Sequence, residues 1–497
     1  MYNEIKKCIY KREMINMKSF NDFKLSKELL KSISMLDYKN PTKVQEQVIP
    51  ALLKKKDVIV KSQTGSGKTA SFAIPICELL DWEENKPQGL VIVPTRELAM
   101  QVKEDIFNIG RFKRVKVPVV FGKSPFHIQE KELKQKSHVV VGTPGRIIDH
   151  IERGTLDTSN IKYLVIDEAD EMLNMGFVDD LEYIVDSLPQ DRVTTVLSAT
   201  MPRDIENLCE KYMKNPIYID VEEESKAFDR IYQEVYTIDV REKMDLLSDI
   251  TITENPDSCI IFCNTKQAVD YVYEELEYEN YTCEKIHGGM EQEDRLRVMR
   301  DFKQGYFRYL IATDVAARGI DIDNISLVIN YDIPQDREVY VHRIGRTGRN
   351  SRAGRAITFV TKYENKFLRD IEEYIGREIL KKDRPNKEEV DKLKSNFDDK
   401  IQTRSIKKVA KDESLSKEIM RLHINAGKKT KMRPSDIVGT LCSIDGMTKE
   451  DIGIINVQDI STFVEILNNK GEMVFLELQN MNIKGRPRKV SKAEKQL

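Results

Sequence analysis

Two short runs hold groups suited to a nucleoside triphosphate. The first is Gly65-Ser66-Gly67-Lys68-Thr69, preceded by Val58-Ile59-Val60. In a turn between strand and helix, glycines let backbone N–H groups close around phosphates. Lys68 adds a point charge, and the Thr69 hydroxyl can reach Mg²⁺. The generic phosphate-loop string wants a further glycine at position 62, where this chain has Ser62. The second run is Asp167-Glu168, at the end of the apolar stretch Tyr163-Leu164-Val165-Ile166. Asp167 is placed to hold Mg²⁺ through water, and Glu168 to orient or deprotonate an attacking water. A solvated acidic turn is the plainer reading. A buried strand ending in two carboxylates needs a cation to offset them, which weighs against it. Together the runs indicate triphosphate hydrolysis.

A third run, His342-Arg343-Ile344-Gly345-Arg346-Thr347-Gly348-Arg349, lies far downstream. The planar guanidinium groups of Arg346 and Arg349 suit charge developing on a transferring phosphoryl group. The alternative is an ordinary basic loop. The surrounding stretch has no phosphate loop of its own, so the expectation is a nucleotide held between two domains.

The elements that position these runs follow one pattern. Leu90–Val93, Val139–Val141, Tyr163–Ile166 and Thr195–Leu197 are continuous apolar runs separated by helical stretches. That predicts a parallel sheet covered on both faces, with its polar clusters at the strand ends where ligands bind. The pattern restarts near Ile231 with Cys259–Phe262, Tyr309–Ala312, Leu327–Asn330 and Ala356–Val360. Residues 380–415, rich in Lys, Asp and Glu, read as an exposed, partly helical linker. From Ser416 the order β-α-β-β-α-β predicts a ferredoxin-like unit whose last strand starts at Ile483. The expected division is a disordered leader at 1–19, α/β domains at 20–222 and 223–379, the linker, and a small α+β domain at 416–497.

Bulk properties agree. A chain of 497 residues is too long for one core. It is 40% hydrophobic and 33% charged, with net charge −2. Residues 401–497 hold 18 Lys and Arg against 12 Asp and Glu, a balance of +6, so residues 1–400 carry −8. This asymmetry hints that the C-terminal part meets a polyanion, although a solvated basic face would look the same. Seven scattered cysteines argue for buried free thiols and against zinc. No apolar run is long enough to predict a membrane span.

With these residues in order, the chain resembles the DEAD-box RNA helicases over about residues 20–375. Asp167-Glu168-Ala169-Asp170 is the family's name motif. The resemblance implies two tandem RecA-like domains, with ATP and Mg as cofactors. It assigns Gln45 to reading adenine and Tyr38 to stacking on it, with Asp37 standing where the family has glycine. It assigns Ser62, Gln63, Thr64, Gly65, Ser66, Gly67, Lys68 and Thr69 to the phosphates. Gly319 and Asp321 are assigned to the ribose side, and His342, Arg346 and Arg349 to catalysis. Ser198 and Thr200 would couple hydrolysis to RNA release. Thr95, Arg96, Gly122, Thr143, Arg146, Thr265, Gly288, Arg295 and Thr313 would hold the sugar–phosphate backbone, with little base information. Lys123 replaces the second glycine of a family pair, which adds charge but removes a permissive backbone position.

The last unit resembles the C-terminal RRM-type domain of DbpA-like helicases through Leu422–Lys429 and Arg433–Gly439. Lys428, Lys429, Arg433, Arg486 and Arg488 are its candidate RNA contacts, with Phe463 the main stacking candidate. The resemblance implies a cytoplasmic, monomeric ATP-dependent RNA helicase. It would be anchored on a 23S rRNA hairpin during assembly of pre-50S particles. A general RNA-decay or cold-response helicase with a nonspecific tail, and an ATP-gated RNA clamp, are the rival readings.

Overall fold

The computed structural model describes residues 19–62, 65–221, 231–314, 325–348, 354–402 and 418–493. The leader therefore lies, except for Ser19, outside the described residues.

The first domain is built on seven parallel strands. In chain order they are β1 (Val58–Lys61), β2 (Gly89–Ile92), β3 (Val119–Val120), β4 (Val139–Gly142), β5 (Tyr163–Asp167), β6 (Val193–Ser198) and β7 (Ile217–Asp220). In space the order is β3-β4-β2-β5-β6-β1-β7. Alternate residues of each strand feed opposite faces, as a pleat requires. Val60, Val91, Val141 and Val165 pack with Leu29, Val48, Phe72 and Ile106 on one face. Ile59, Leu90, Val140, Leu164 and Val196 pack with Ile147, Met172, Ile184 and Leu208 on the other. Both faces are apolar, which is why these strands read as unbroken hydrophobic runs.

The second domain repeats the plan. Its strands are β8 (Ile231–Thr237), β9 (Cys259–Phe262), β10 (Cys283–Ile286), β11 (Tyr309–Ala312), β12 (Leu327–Asn330), β13 (Gly354–Val360) and β14 (Leu380–Lys382). Their order is β10-β11-β9-β12-β13-β8-β14, again with parallel pairing. Cys259 and Cys263 are buried thiols in its core. The predicted linker needs correction here. Leu380–Lys382 is the edge strand β14, and Lys387–Gln402 is a helix whose Val390, Phe397 and Ile401 enter the core. Three apolar residues at positions 390, 397 and 401 form one helical stripe, which the surrounding charges mask in composition.

The C-terminal domain has β15 (Met420–Ile424), β16 (Ile452–Val457), β17 (Thr462–Ile466) and, beyond a ribbon of β18 (Asn482–Ile483) with β19 (Arg486–Pro487), β20 (Val490–Lys492). The sheet order β16-β17-β15-β20, with antiparallel pairing, is the ferredoxin-like one. The helices Pro434–Cys442 and Gly471–Asn480 cover one face through Ile437, Leu441, Val474 and Leu478. The final strand thus starts at Val490 and not at Ile483, because Lys484 and Gly485 turn the chain with positive φ. Among the described residues no helix is long and apolar enough to cross a membrane.

Candidate functional site: a nucleotide cleft and a backbone-binding edge

Lys68 opens the helix Lys68–Leu79, directly after β1 and its turn. Gly65 and Gly67 have φ of 83° and 85°, so the turn needs residues without a Cβ. A Cβ on Gly67 would also sit 2.6 Å from Gln45 Nε2. Gln45 is buried, and both ends of its amide are engaged. Its Oε1 accepts from Thr42 N at 2.9 Å, and its Nε2 donates to Gly67 O at 3.2 Å. Thr42 Oγ1 donates to Ser66 O at 2.8 Å. Gln45 thus ties its helix to the phosphate loop. Tyr38 lies near Phe20, ring centres 6.3 Å apart, and the preceding Asp37 takes the left-handed φ of 59°. Lys68 is buried and donates to Ser62 O at 3.2 Å, while Ser66 Oγ donates to Ser62 Oγ at 3.2 Å.

The acidic run ends β5. Asp167 is 3% exposed, and burial raises its pKa against the pull of Lys68. Glu168 has φ 54° and ψ 51°, a strained left-handed turn that lifts its carboxyl off the strand line. Its pKa is pushed up to about 7 by burial and then by Asp167, with Lys68 and Arg346 pulling the other way. A buried and a half-buried carboxylate beside a lysine and a glycine turn fit a magnesium nucleotide. Thr69 and Asp167 are the side chains that would hold the ion.

Two further acids carry roles that the motif reading did not assign: Asp170, which closes the name motif, and Glu171. Asp170 Oδ2 accepts from Ala199 N at 3.1 Å, Thr200 N at 2.8 Å and Thr200 Oγ1 at 3.0 Å. Its own N–H donates to Ser198 Oγ at 3.2 Å. The next residue, Glu171, meets His342 Nδ1 of the second domain at 3.2 Å. A continuous polar chain therefore runs from Ser198 and Thr200 across the cleft to His342. Arg346, 7% exposed, lies on the second domain's side of the cleft and acts electrostatically on Glu168. Arg343 serves structure instead. It is 2% exposed, grips Asp314 through two bonds of 2.5 and 2.6 Å, and also bonds Asn264 and the Asp332 carbonyl.

The residues assigned from the sequence to an RNA backbone occupy strand ends and helix starts. Thr95 caps the helix Arg96–Ile109, Thr143 precedes the helix Pro144–Glu152, and Thr265 caps the helix Lys266–Tyr278. Free N–H groups at such ends favour phosphates. The Thr95 and Thr265 hydroxyl oxygens accept from Leu98 N and Ala268 N at 3.2 and 3.1 Å, which leaves their protons to donate. Arg146 donates to Ser124 O and Gln129 Oε1. Arg96 lies against Gly122, where a Cβ would come within 3.4 Å of its guanidinium. Lys123 takes a φ of 58°, so the chain keeps the conformation a glycine would favour. Gly288 lies in the turn after β10, and Thr313 follows β11 and is 8% exposed.

The two domains meet along this edge. Arg96 Nη1 donates to Gln292 Oε1 at 3.0 Å, and Gln292 Nε2 donates to Glu97 Oε1 at 3.0 Å. Arg295 Nη2 pairs with Glu97 at 2.9 Å. Glu97, the hub, was not singled out from the sequence. Its place one residue after the assigned Arg96 is the signal that was there.

In the C-terminal domain Lys428, Lys429, Arg433 and Arg486 are exposed, and Arg488 is half-buried. Phe463 lies on the outer sheet face, 5.0 Å from the His423 ring and 4.5 Å from the Arg421 guanidinium. Gln63, Thr64, Gly319, Asp321 and Arg349 lie outside the described residues. A depression of about 250 Å³ near Lys86, Lys134 and Asp157 lies at the opposite edge of the first sheet and plays no part in this site.

Comparison with known proteins agrees with this geometry. Residues 42–208 match the DEAD/DEAH box helicase family, 242–351 the helicase conserved C-terminal domain and 421–492 the DbpA RNA binding domain. The ATP-dependent RNA helicase DbpA of Bacillus subtilis (strain 168) is 56% identical over 479 residues, 96% of this chain and 100% of that protein. The DEAD-box ATP-dependent RNA helicase CshA of the same organism is 43% identical over 371 residues, 75% of each chain. Among solved structures, S. cerevisiae Dbp5 bound to RNA and ADP BeF3 superposes with a TM-score of 0.69 at 33% identity, over 76% of this chain and 99% of that one. Mss116p bound to ssRNA and AMP-PNP gives 0.67 at 28%, over 77% and 82%. The chain belongs to the DEAD-box RNA helicases, in the branch that carries a DbpA RNA binding domain.

Proposed function

We propose that the protein hydrolyses ATP to separate short RNA duplexes locally. In this reading its C-terminal domain anchors it on a 23S rRNA hairpin during assembly of the large ribosomal subunit. It acts as a cytoplasmic monomer. The observation that carries the catalytic part is the placement of Asp167 and Glu168 between Lys68 of one domain and Arg346 of the other. Lys68 and the turn at Gly65–Gly67 hold the phosphates, and Gln45 and Tyr38 take the adenine. Thr69 and, through water, Asp167 would hold Mg²⁺, which would neutralise charge on the phosphates when bound. Glu168 takes the proton of the attacking water, a task suited to a carboxyl near pH 7. Arg346 and Arg349 stabilise the charge that develops on the γ-phosphoryl group. These groups come from both domains, so turnover requires closure. The polar chain from Thr200 through Asp170 and Glu171 to His342 links closure to the strand ends that hold RNA.

The anchoring part is supported by the match of residues 421–492 to the DbpA RNA binding domain and by the exposed bases at Lys428, Lys429, Arg433 and Arg486. Anchoring raises the effective concentration of the core near neighbouring helices. RNA-stimulated phosphate release tests the enzyme. Glu168→Gln should abolish it while ATP and RNA still bind; turnover equal to wild type would leave an RNA clamp. Stimulation by a 23S hairpin fragment against poly(A), at matched salt, tests the anchor. Equal stimulation would favour a general RNA-decay or cold-response role.

A further inference from the structure

The C-terminal sheet covers only one of its faces with its own helices. Arg421, His423, Phe463 and Glu465 point from β15 and β17 to the other face, since Leu422, Ile424, Val464 and Ile466 point to the core. In an RRM-type fold this outer face is the obvious platform for RNA. Here part of it is occupied by the first domain.

In five contacts the first domain donates and the C-terminal domain accepts. Arg111 meets Glu465 at 2.9 Å, with side chains 12% and 9% exposed. Lys31 meets Glu418 at 3.2 Å and Asn468 Oδ1 at 2.7 Å. Lys116 Nζ donates to Ile455 O at 3.3 Å, and Arg114 donates to Lys449 O. Burial lowers the pKa of Arg114, Lys116 and Arg421, so these cations have lost water. Glu465 receives Arg111 from the first domain and faces Arg421 of its own sheet, so one carboxylate answers two cations. An acidic residue on an RNA platform would repel phosphate; here Glu465 Oε1 instead takes Arg111, while burial raises its pKa against both cations.

The contacts cluster at one end of the sheet. Glu418 precedes β15, Asn468 follows β17, and Arg421 pairs with Glu465 in register. The basic loops lie at the other end. Ile424 pairs with Thr462 and Val490, and beside this end run the segments with Lys428, Lys429 and Lys489. Lys428 N donates to Gln458 O and Lys429 N to Asp459 O, which fixes both lysines at that end.

We propose that the outer face of the C-terminal sheet is a docking surface for the first helicase domain, centred on Arg111–Glu465. The RNA anchor is thereby left to the basic loops at the far end. The second clause rests on the anchoring role proposed above. Docking holds the anchored hairpin in one orientation relative to the first domain, where a free tether would allow many.

The test uses the full chain with donor and acceptor dyes on exposed Glu104 and Leu476, an ATP analogue and single-stranded RNA. Transfer should be high in the wild type, fall in Arg111→Glu and in Glu465→Arg, and return in the double reversal. Transfer unmoved by the single reversals, or not restored in the double, overturns the docking. Hairpin affinity should stay within about twofold in both single variants; a tenfold loss in either would return the sheet face to RNA and overturn the proposal. The transfer measurement uses no hairpin, so it judges the docking alone. Lys428→Glu with Lys429→Glu judges the anchor, and should lower hairpin affinity at least tenfold with transfer unchanged.

Discussion

Glu97→Gln tests whether the buried hub between the domains holds the cleft shut. One carboxylate oxygen of Glu97 accepts from Gln292 Nε2 at 3.0 Å and pairs with Arg295 Nη2 at 2.9 Å. The Glu97 and Arg295 side chains are 6% and 12% exposed, so salt and water screen them little. Glutamine keeps the shape and an acceptor but loses the charge. Hydrogen bonds to charged groups contribute about 1 kcal/mol more than neutral ones. Two such bonds give about 2 kcal/mol, or roughly 30-fold in the closure equilibrium. The assay is energy transfer between dyes on the two helicase domains with an ATP analogue, read as the RNA concentration for half-closure. That concentration should rise roughly 30-fold. Arg295→Met completes a double-mutant cycle, and the pair should couple by more than about 1 kcal/mol. Half-closure within twofold of wild type, or additivity within about 0.5 kcal/mol, refutes the hub.

Three other outcomes are expected. Lys123→Gly should raise the urea midpoint of the first domain, relieving up to about 1 kcal/mol of left-handed strain. It should also weaken RNA binding and reduce the salt slope by about 0.7, the value for one lost phosphate contact on a single strand. His138 and His150 both have pKa values lowered to about 4, mainly by burial, with Lys136 and Arg146 the next causes. Their folded pKa lies below the unfolded value near 6.5, so the stability they contribute is complete above about pH 6.5 and lost as pH falls to about 4. The unfolding free energy should drop across that window by several kcal/mol, since each of the two groups falls from about 6.5 to about 4 and each pH unit is about 1.4 kcal/mol, and a His138→Gln, His150→Gln variant should flatten the drop. Gly427→Ala would place a Cβ 2.3 Å from Gln458 O. The loop bearing Lys428 and Lys429 should shift, at about 1–3 kcal/mol, and hairpin affinity should fall while single-strand-stimulated ATPase is kept.

Much of the fold was legible because its signals are local. Apolar runs such as Val139–Val141, and threonines such as Thr95 before a helix, announce strands and caps without reference to the rest of the chain. The edge strands β3, β7, β10 and β14 were less visible. An edge strand needs less apolar surface, as Glu284 and Lys285 of β10 and Lys381 and Lys382 of β14 illustrate. The helix Lys387–Gln402 was read as linker because Val390, Phe397 and Ile401 are outnumbered by charge.

By itself the sequence determined which groups stand at the strand ends, Lys68, Asp167, Glu168, Thr95 and Thr265, and that Arg346 follows a helix. Their chemistry depends on residue type and on the element just before them. The tertiary structure decided who faces whom. Glu97 with Gln292, Glu171 with His342, Arg343 with Asp314 and Arg111 with Glu465 join residues between 29 and 354 positions apart. No local pattern encodes such pairs, because a carboxylate in a turn looks the same whether water or a distant guanidinium answers it. Only packing withdraws the water. In this chain that step turns a list of strand-end motifs into a cleft shared by two domains, with a third domain docked at its side.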